Sequence, residues 1–228
     1  MGTEKEKQMS ESFLLGAILA FVGGFLDAYT YINRGHVFAF AETGNILLMT
    51  INLVEGHIAG VTKYILPICS FTVGVLVTEL IQHRYKQNQT IHWRQITTTF
   101  EILTLFVVAF IPANDINNIF TNTMVAFVSS IQFQSFRRIN GNAITTTMCT
   151  GNLRSGTEHM YNFIITKDRT RLVKSITYFS IIAIFITGAC TSAIVSKYLS
   201  VKAVFVPCVA LSIVLMLMAD LRHSSEME

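Results

Sequence analysis

The sequence predicts an all-α, polytopic helical membrane protein. It is made of two repeats of three spans plus one short helix each, the second repeat inverted relative to the first. Three observations carry this. Charged residues make up only 14% of the 228 residues and apolar types 51%, whereas a soluble domain is about 25% charged. The apolar residues gather into six long segments and two short ones. The triplet Thr43-Gly44-Asn45 recurs as Thr150-Gly151-Asn152, 107 residues later, in matching surroundings. Such repetition decides architecture before any local signal does.

Residues 1–11 form a charged cytoplasmic tail, residues 12–221 a single transmembrane domain, and residues 222–228 a second tail. Repeat one covers about 12–112 and repeat two about 116–221. Ser12 to Tyr31 is the first span, with Gly16, Gly23 and Gly24 as small residues that let helices approach in lipid. It is too long for a signal-peptide core and lacks a small-residue cleavage site, so it stays in the mature chain. After a break at Asn33–His36, Gly44 to Val54 is a short stretch. At 1.5 Å per residue it covers about half of a ~30 Å hydrocarbon core. Tyr64–Leu80 and Ile96–Ile111 follow, the latter stopped by Pro112. Ile116–Phe136 opens the second half with many amides and hydroxyls, and Asn140-Gly141-Asn142 is its break. Asn152–Ile165 is the second short helix, Lys167–Lys174 a basic loop, and Ser175–Ile194 and Ala203–Leu221 the last spans.

Lysine and arginine placement discriminates between two topologies. If the short segments re-enter and leave on one side, twelve Lys and Arg lie inside and four outside, with Arg154 in a short helix. If all eight segments cross, the split is eight against eight. The positive-inside rule favours re-entry, six spans and both termini in the cytoplasm. Short tilted spans in an eight-span bundle are the alternative.

In the re-entrant arrangement each Thr-Gly-Asn opens a half-helix near mid-membrane. Thr or Asn can cap a helix start, and the free N–H groups there carry partial positive charge. Two starts aimed at one site can hold an anion or a carbonyl. Thr43, Gly44, Asn45, Thr150, Gly151 and Asn152 are therefore the candidate substrate-binding residues, although packing of the short helices explains the triplets too. Ionisable residues within a span face a cavity or a partner. Asp27, with Arg154 as candidate partner, and Glu42 beside the first triplet are assigned to charge or proton coupling. Gln132 and Gln134 fall at the 107-residue offset from Phe25 and Asp27. With His159 they are assigned to cavity lining, although interhelical hydrogen bonding explains the glutamines equally. Glu79 and Glu101 read as interfacial groups near the cytoplasmic ends of their segments.

Soluble chemistry is not signalled. No catalytic residues, metal ligands or cofactor are assigned, and an enzyme is not expected. The net charge of +3 is too small to call for nucleic acid. Cys69, Cys149, Cys190 and Cys208 have no paired spacing and read as small buried hydrophobes.

The run Gly23-Gly24-Phe25-Leu26-Asp27-Ala28-Tyr29, then Phe38 and Thr43-Gly44-Asn45, resembles the YoaK family of bacterial integral membrane proteins of unknown function. Ser130-Ile131-Gln132, Arg137-Arg138 and Thr150-Gly151-Asn152-Leu153 extend the resemblance over about Phe13 to Leu221. Ser130 stands where similar proteins have glycine. The resemblance implies a multi-pass protein of a bacterial plasma membrane and supplies no activity. From the residues, the leading reading is a small-solute transporter or channel, taking a small polar or anionic solute at the two helix starts. The alternative is a non-transporting subunit, chaperone or sensor that docks a partner on the basic loops Arg84–Arg94 and Lys167–Lys174. Beyond the lipid bilayer, the many small residues also make a homo-oligomer a candidate assembly.

Overall fold

A computed structural model describes residues 12–85, 93–136, 146–147 and 149–226. Among these residues every regular element is helical: α1 (Phe13–Asn33), α2 (Glu42–Val54), α3 (Ile58–Tyr85), α4 (Trp93–Val108), α5 (Asp115–Ser135), α6 (Cys149–Thr166), α7 (Arg169–Leu199), a 3-10 turn (Ser200–Val204) and α8 (Phe205–Glu226). The starts of α1, α5 and α7 have side-chain caps. Ser12 accepts from the Leu15 N–H, Asn114 from the Asn117 N–H, and Asp168 from the Thr170 N–H, satisfying donors that the first turn leaves orphaned.

Polarity runs inside out. Val54, Leu80, Phe110, Val209 and Met216 face outward, while α5 turns Asn122, Ser129, Ser130, Gln132 and Gln134 into the bundle. A folded chain in water does not leave so much apolar surface exposed. Lipid is the solvent that suits this arrangement. Phe13–Asn33, Ile58–Tyr85 and the α7–α8 stretch Arg169–Ala219 are long and apolar enough to cross a bilayer by themselves.

The most extensive packing is between α1 and α7 and between α3 and α5. Both pairs are parallel. Along α1 and α7, Asn33 Nδ2 donates to Ser196 Oγ at 2.7 Å. Further down, a Cβ on Gly24 would run into the Phe185 carbonyl, and one on Gly188 into the Phe21 carbonyl. Along α3 and α5, Ser70 Oγ donates to the Thr123 carbonyl at 2.8 Å and Gln134 donates to Glu79. Small residues and side-chain hydrogen bonds are how helices associate in lipid, where apolar burial gives no drive. Around these pairs, α2 lies on α3, α6 on α7, α4 on α5 and α8, and α8 on α1.

The short helices do not run the length of the bundle. At the end of α1 the buried Arg34 donates to the carbonyls of Ile111 and Val108, both at 2.9 Å, and Asn122 donates to the Arg34 carbonyl at 2.7 Å. This defines one end of the bundle, where α1 and α4 finish and α5 starts. From there the chain folds back, and the N–H groups of Ala39 and Phe40 donate to Asp27 Oδ1 at 2.8 and 2.7 Å. Asp27 lies seven residues before Arg34, about 10 Å deeper at 1.5 Å per residue. Here α2 starts, and after Val54 it hands over to α3 at the end it came from: the Tyr64 hydroxyl donates to the His36 carbonyl. Gly56, at φ 74°, makes the turn between α2 and α3.

The opposite end of the bundle holds the start of α4 and the finish of α5. That end is marked by Arg94 at the start of α4, whose Nε donates to the Ser135 carbonyl at 2.9 Å where α5 finishes. Thr147, just before α6, lies against Gly23 midway along α1. α6 then runs back as an antiparallel hairpin with α7, Ser175 Oγ donating to the Gly156 carbonyl at 2.8 Å. The basic stretch Lys167–Lys174 is not a loop. Lys167 and Asp168 make the turn, and the rest is the first turns of the 31-residue α7. The expected second tail is helical up to Glu226, as α8 continues through it; residues 1–11 and 227–228, the break Asn140–Asn142 and the stretch 86–92 of the first basic loop lie outside the described residues.

Candidate functional site

The starts of α2 and α6 converge on Asp27. Its Oδ1 holds the Ala39 and Phe40 N–H groups. Both Glu42, the first residue of α2, and Cys149, the first residue of α6, lie within electrostatic reach of Asp27. Thr147 closes the same region with a buried hydroxyl that has no hydrogen-bond partner among the described residues.

The triplets sit inside the first turns of α2 and α6. The N-cap of α2 is Ala41, with no side-chain hydrogen bond, so the expectation that Thr or Asn caps the helix is corrected for α2. The Asn45 amide instead clamps the preceding loop. Its Oδ1 accepts from the Phe38 N–H at 2.9 Å, and its Nδ2 donates to the Phe38 carbonyl at 2.9 Å and to Glu42 Oε2 at 3.1 Å. Gly44 makes room for the Phe38 ring: a Cβ there would meet ring carbons at 2.9–3.0 Å. Phe38 also stacks on Tyr31 with centroids 5.1 Å apart. Glu42 keeps Oε1 buried and unpartnered among the described residues.

The second triplet is placed alike but less covered. Asn45 and Asn152 are both buried, and Thr43 and Thr150 both exposed. A Cβ on Gly151 would meet nothing within 4 Å, in contrast to Gly44 under Phe38.

The other candidate residues do not gather here. Arg154 is exposed on α6 and forms no ion pair with Asp27 among the described residues. Backbone N–H groups hold Asp27 in its place. Gln132 and Gln134 point to different neighbours, Gln132 Nε2 to the Leu19 carbonyl of α1 at 3.2 Å and Gln134 to Glu79 of α3. His159 stacks on Tyr178 of α7, centroids 5.7 Å apart. Glu101 corrects a further expectation. It lies on the inner stripe of α4 with Thr97, Thr98, Leu105 and Val108 and is 1% exposed, not interfacial. Of the four cysteines only Cys208 is buried; Cys69 and Cys190 face outward and Cys149 is partly covered. Among the described residues no three His, Cys, Asp or Glu are grouped to share a metal.

Neither Arg34 nor the role of Phe38 was singled out by the sequence, in which Arg34 is one charge in the break Asn33–His36. Nor were Thr147 and Cys149 singled out as site residues. The signal for these two was available: they immediately precede the repeated triplet, as Phe40 and Glu42 do in the first half.

A helical bundle with apolar outer faces, a polar interior and stretches long enough to cross a bilayer defines the class: a helical membrane protein. Within it, the chain belongs to the family described as "Protein of unknown function (DUF1275)", whose model matches residues 15–217. No curated protein and no solved structure matches the chain.

Proposed function

We propose that this YoaK-like chain is a small-solute transporter or channel of a bacterial plasma membrane, with its binding site where α2 and α6 begin. The observation that carries the reading is the convergence of two oppositely directed helix starts on Asp27, midway through the bundle. The pairing scheme supports an inverted repeat. Exchanging α1–α4 with α5–α8 turns α1·α7 into α5·α3, α2·α3 into α6·α7 and α4·α5 into α8·α1, all contacts that are present. On this reading α2 and α6 are re-entrant and six helices span. Arg84, Arg94, Lys167, Arg169, Arg171 and Lys174 cluster at the Arg94 end, which the positive-inside rule assigns to the cytoplasm, with both termini on that side.

The chemistry argues for a cation, a proton or a neutral polar solute over an anion. The Asp27 carboxylate already holds the N–H groups leading into α2, cancelling the positive end that an anion needs. Glu42 adds a second carboxyl, one oxygen of which has no hydrogen-bond partner among the described residues. In this scheme Glu42, Thr43 and Thr150 meet the solute, while Asn45 and Asn152 hold the two starts in place. Non-helical backbone at this depth is tolerated where it is enclosed in protein or lines a wet cavity.

Proteoliposomes test this with methylammonium, urea and acetate as cationic, neutral and anionic probes. Methylammonium or urea should enter faster than into empty liposomes, and Glu42→Gln should reduce that rate at least tenfold. Entry of none of the three above the empty-liposome rate rejects the transport reading, and entry of acetate alone rejects the assigned solute class.

A further inference from the structure

Glu101 is a carboxyl that the convergent helix starts do not use. It stands halfway along α4, eight residues from Trp93, on the stripe that faces the bundle interior. Its Oε1 is buried without a hydrogen-bond partner among the described residues, and so is the hydroxyl of Thr98, one turn away. Two helices wall it in. From α5, Phe127 packs on Phe100 with ring centroids 6.0 Å apart. From α8, Cys208 Sγ lies 4.0 Å from the Ile102 carbonyl.

Among the described residues no cation stands beside it. α5 has no charged residue between Ile116 and Ser135, and α8 has none between Phe205 and Ala219. Cys208 is the titratable group that faces it from α8. On α3, which touches α4 lightly, Glu79 is engaged by Gln134. In the 3-10 turn Lys202 points outward. On α4 itself Arg94 sits two turns away at the helix start, with its Nε on the Ser135 carbonyl. Among the described residues a carboxylate in this place has neither a counter-ion nor a donor to Oε1, an arrangement costly in the bilayer interior. The group that resolves this is the smallest cation.

We propose that Glu101 is a proton-binding site, set in the seam between α4 and α8 and separate from the site at Asp27. α4 closes the first half of the chain and α8 the second. A proton bound or released here changes the charge in the contact between the halves, and can thereby couple proton movement to their relative motion. The site stands on the burial of Glu101 and its surroundings, not on the transport reading.

Infrared spectroscopy of the protein in lipid bilayers reads the site directly. The wild-type minus Glu101→Gln difference should contain one carboxylic-acid carbonyl band at neutral pH. That band should shift in D2O buffer and be replaced by carboxylate bands as the buffer is made alkaline. Glu101→Asp should retain a carbonyl band at a changed frequency, which guards against reading a folding defect as loss of the site. Carboxylate bands already present at neutral pH overturn the proposal. A carbonyl band that neither exchanges in D2O nor titrates also overturns it, because a sealed structural acid is then the answer. Conversion to carboxylate by added Na+ at fixed pH assigns the site to a metal cation and overturns the proton. A failed liposome uptake experiment leaves all of these outcomes readable.

Discussion

Replacing Asn45 by alanine removes the clamp on the loop that carries α2 back into the bundle. Three hydrogen bonds vanish, two to the backbone of Phe38 and one to Glu42. The Asn45 side chain is 0% exposed, so water does not replace it without rearrangement. A net hydrogen bond is worth about 1 kcal/mol, and a buried group left without a partner costs about 1–3 kcal/mol. Loss of the two bonds to Phe38 therefore predicts a destabilisation of about 2–4 kcal/mol. The reversible unfolding of the protein in mixed detergent micelles, followed by circular dichroism, measures it. Thr50→Ala is the control. That hydroxyl is exposed and bonds only to its own helix at the Ile46 carbonyl, so its loss should stay within about 0.5 kcal/mol. If Asn45→Ala is as mild as Thr50→Ala, the clamp does not hold the loop. The argument that Asn45 positions the helix start, and does not bind solute, then fails.

Two glycine substitutions should part widely. Gly24→Ala pushes a methyl into the Phe185 carbonyl and should lower folded yield sharply, whereas Gly151→Ala meets nothing within 4 Å and should be neutral or stabilising by up to about 1 kcal/mol through helix propensity; equal yields and melting temperatures would refute the contact. Single cysteines at Ile58 and Thr170, in a chain without the native four, should react with an impermeant maleimide from opposite sides, Ile58 from outside; labelling of both from one side rejects the inverted arrangement. Hydrogen bonds from the Thr170 hydroxyl, and then from its backbone N–H, hold the Asp168 carboxyl below its usual value of 3.8. A carboxyl depressed on folding stabilises above its unfolded value, and the benefit is lost as pH falls through the lower folded value. Amide exchange at the start of α7 should accordingly rise as the pH drops below about 4, and Asp168→Asn should remove that pH dependence; an unchanged profile in the variant refutes the assignment.

Helix positions were legible because hydropathy marks where a chain can sit in lipid, and the repeated triplet marked where both short helices begin. Helix ends were less legible. Ser175–Ile194 was read as a span that runs in fact from Arg169 to Leu199, because polar residues continue a helix beyond the apolar stretch without any hydropathy signal. Glu101 was misplaced for a related reason: α4 begins at Trp93, three residues before the expected start, which moves Glu101 from an end to the middle. Contacts between distant residues were the least legible. Arg34 ties α1 to the end of α4 across 74 and 77 residues, and composition sees only a loop arginine. The anchoring of Asp27 by backbone N–H groups also leaves no trace in residue types, so an arginine was the natural partner to expect.

The parallel pairing of α1 with α7 bears on how the chain is made. Gly24 and Gly188 each accept the other helix's backbone, and more than 160 residues of chain separate them. A ribosome delivers α1 to the membrane long before α7 exists. Until then the side of α1 that carries Gly23 and Gly24 has no lasting neighbour, and the returning loop is held by Asp27 and by the Asn45 clamp. The early helices must wait in lipid, or beside an insertion factor, for a partner that arrives near the end of synthesis. A chain truncated before α7 is thus expected to insert and yet fail to close, making it a substrate for membrane quality-control proteases.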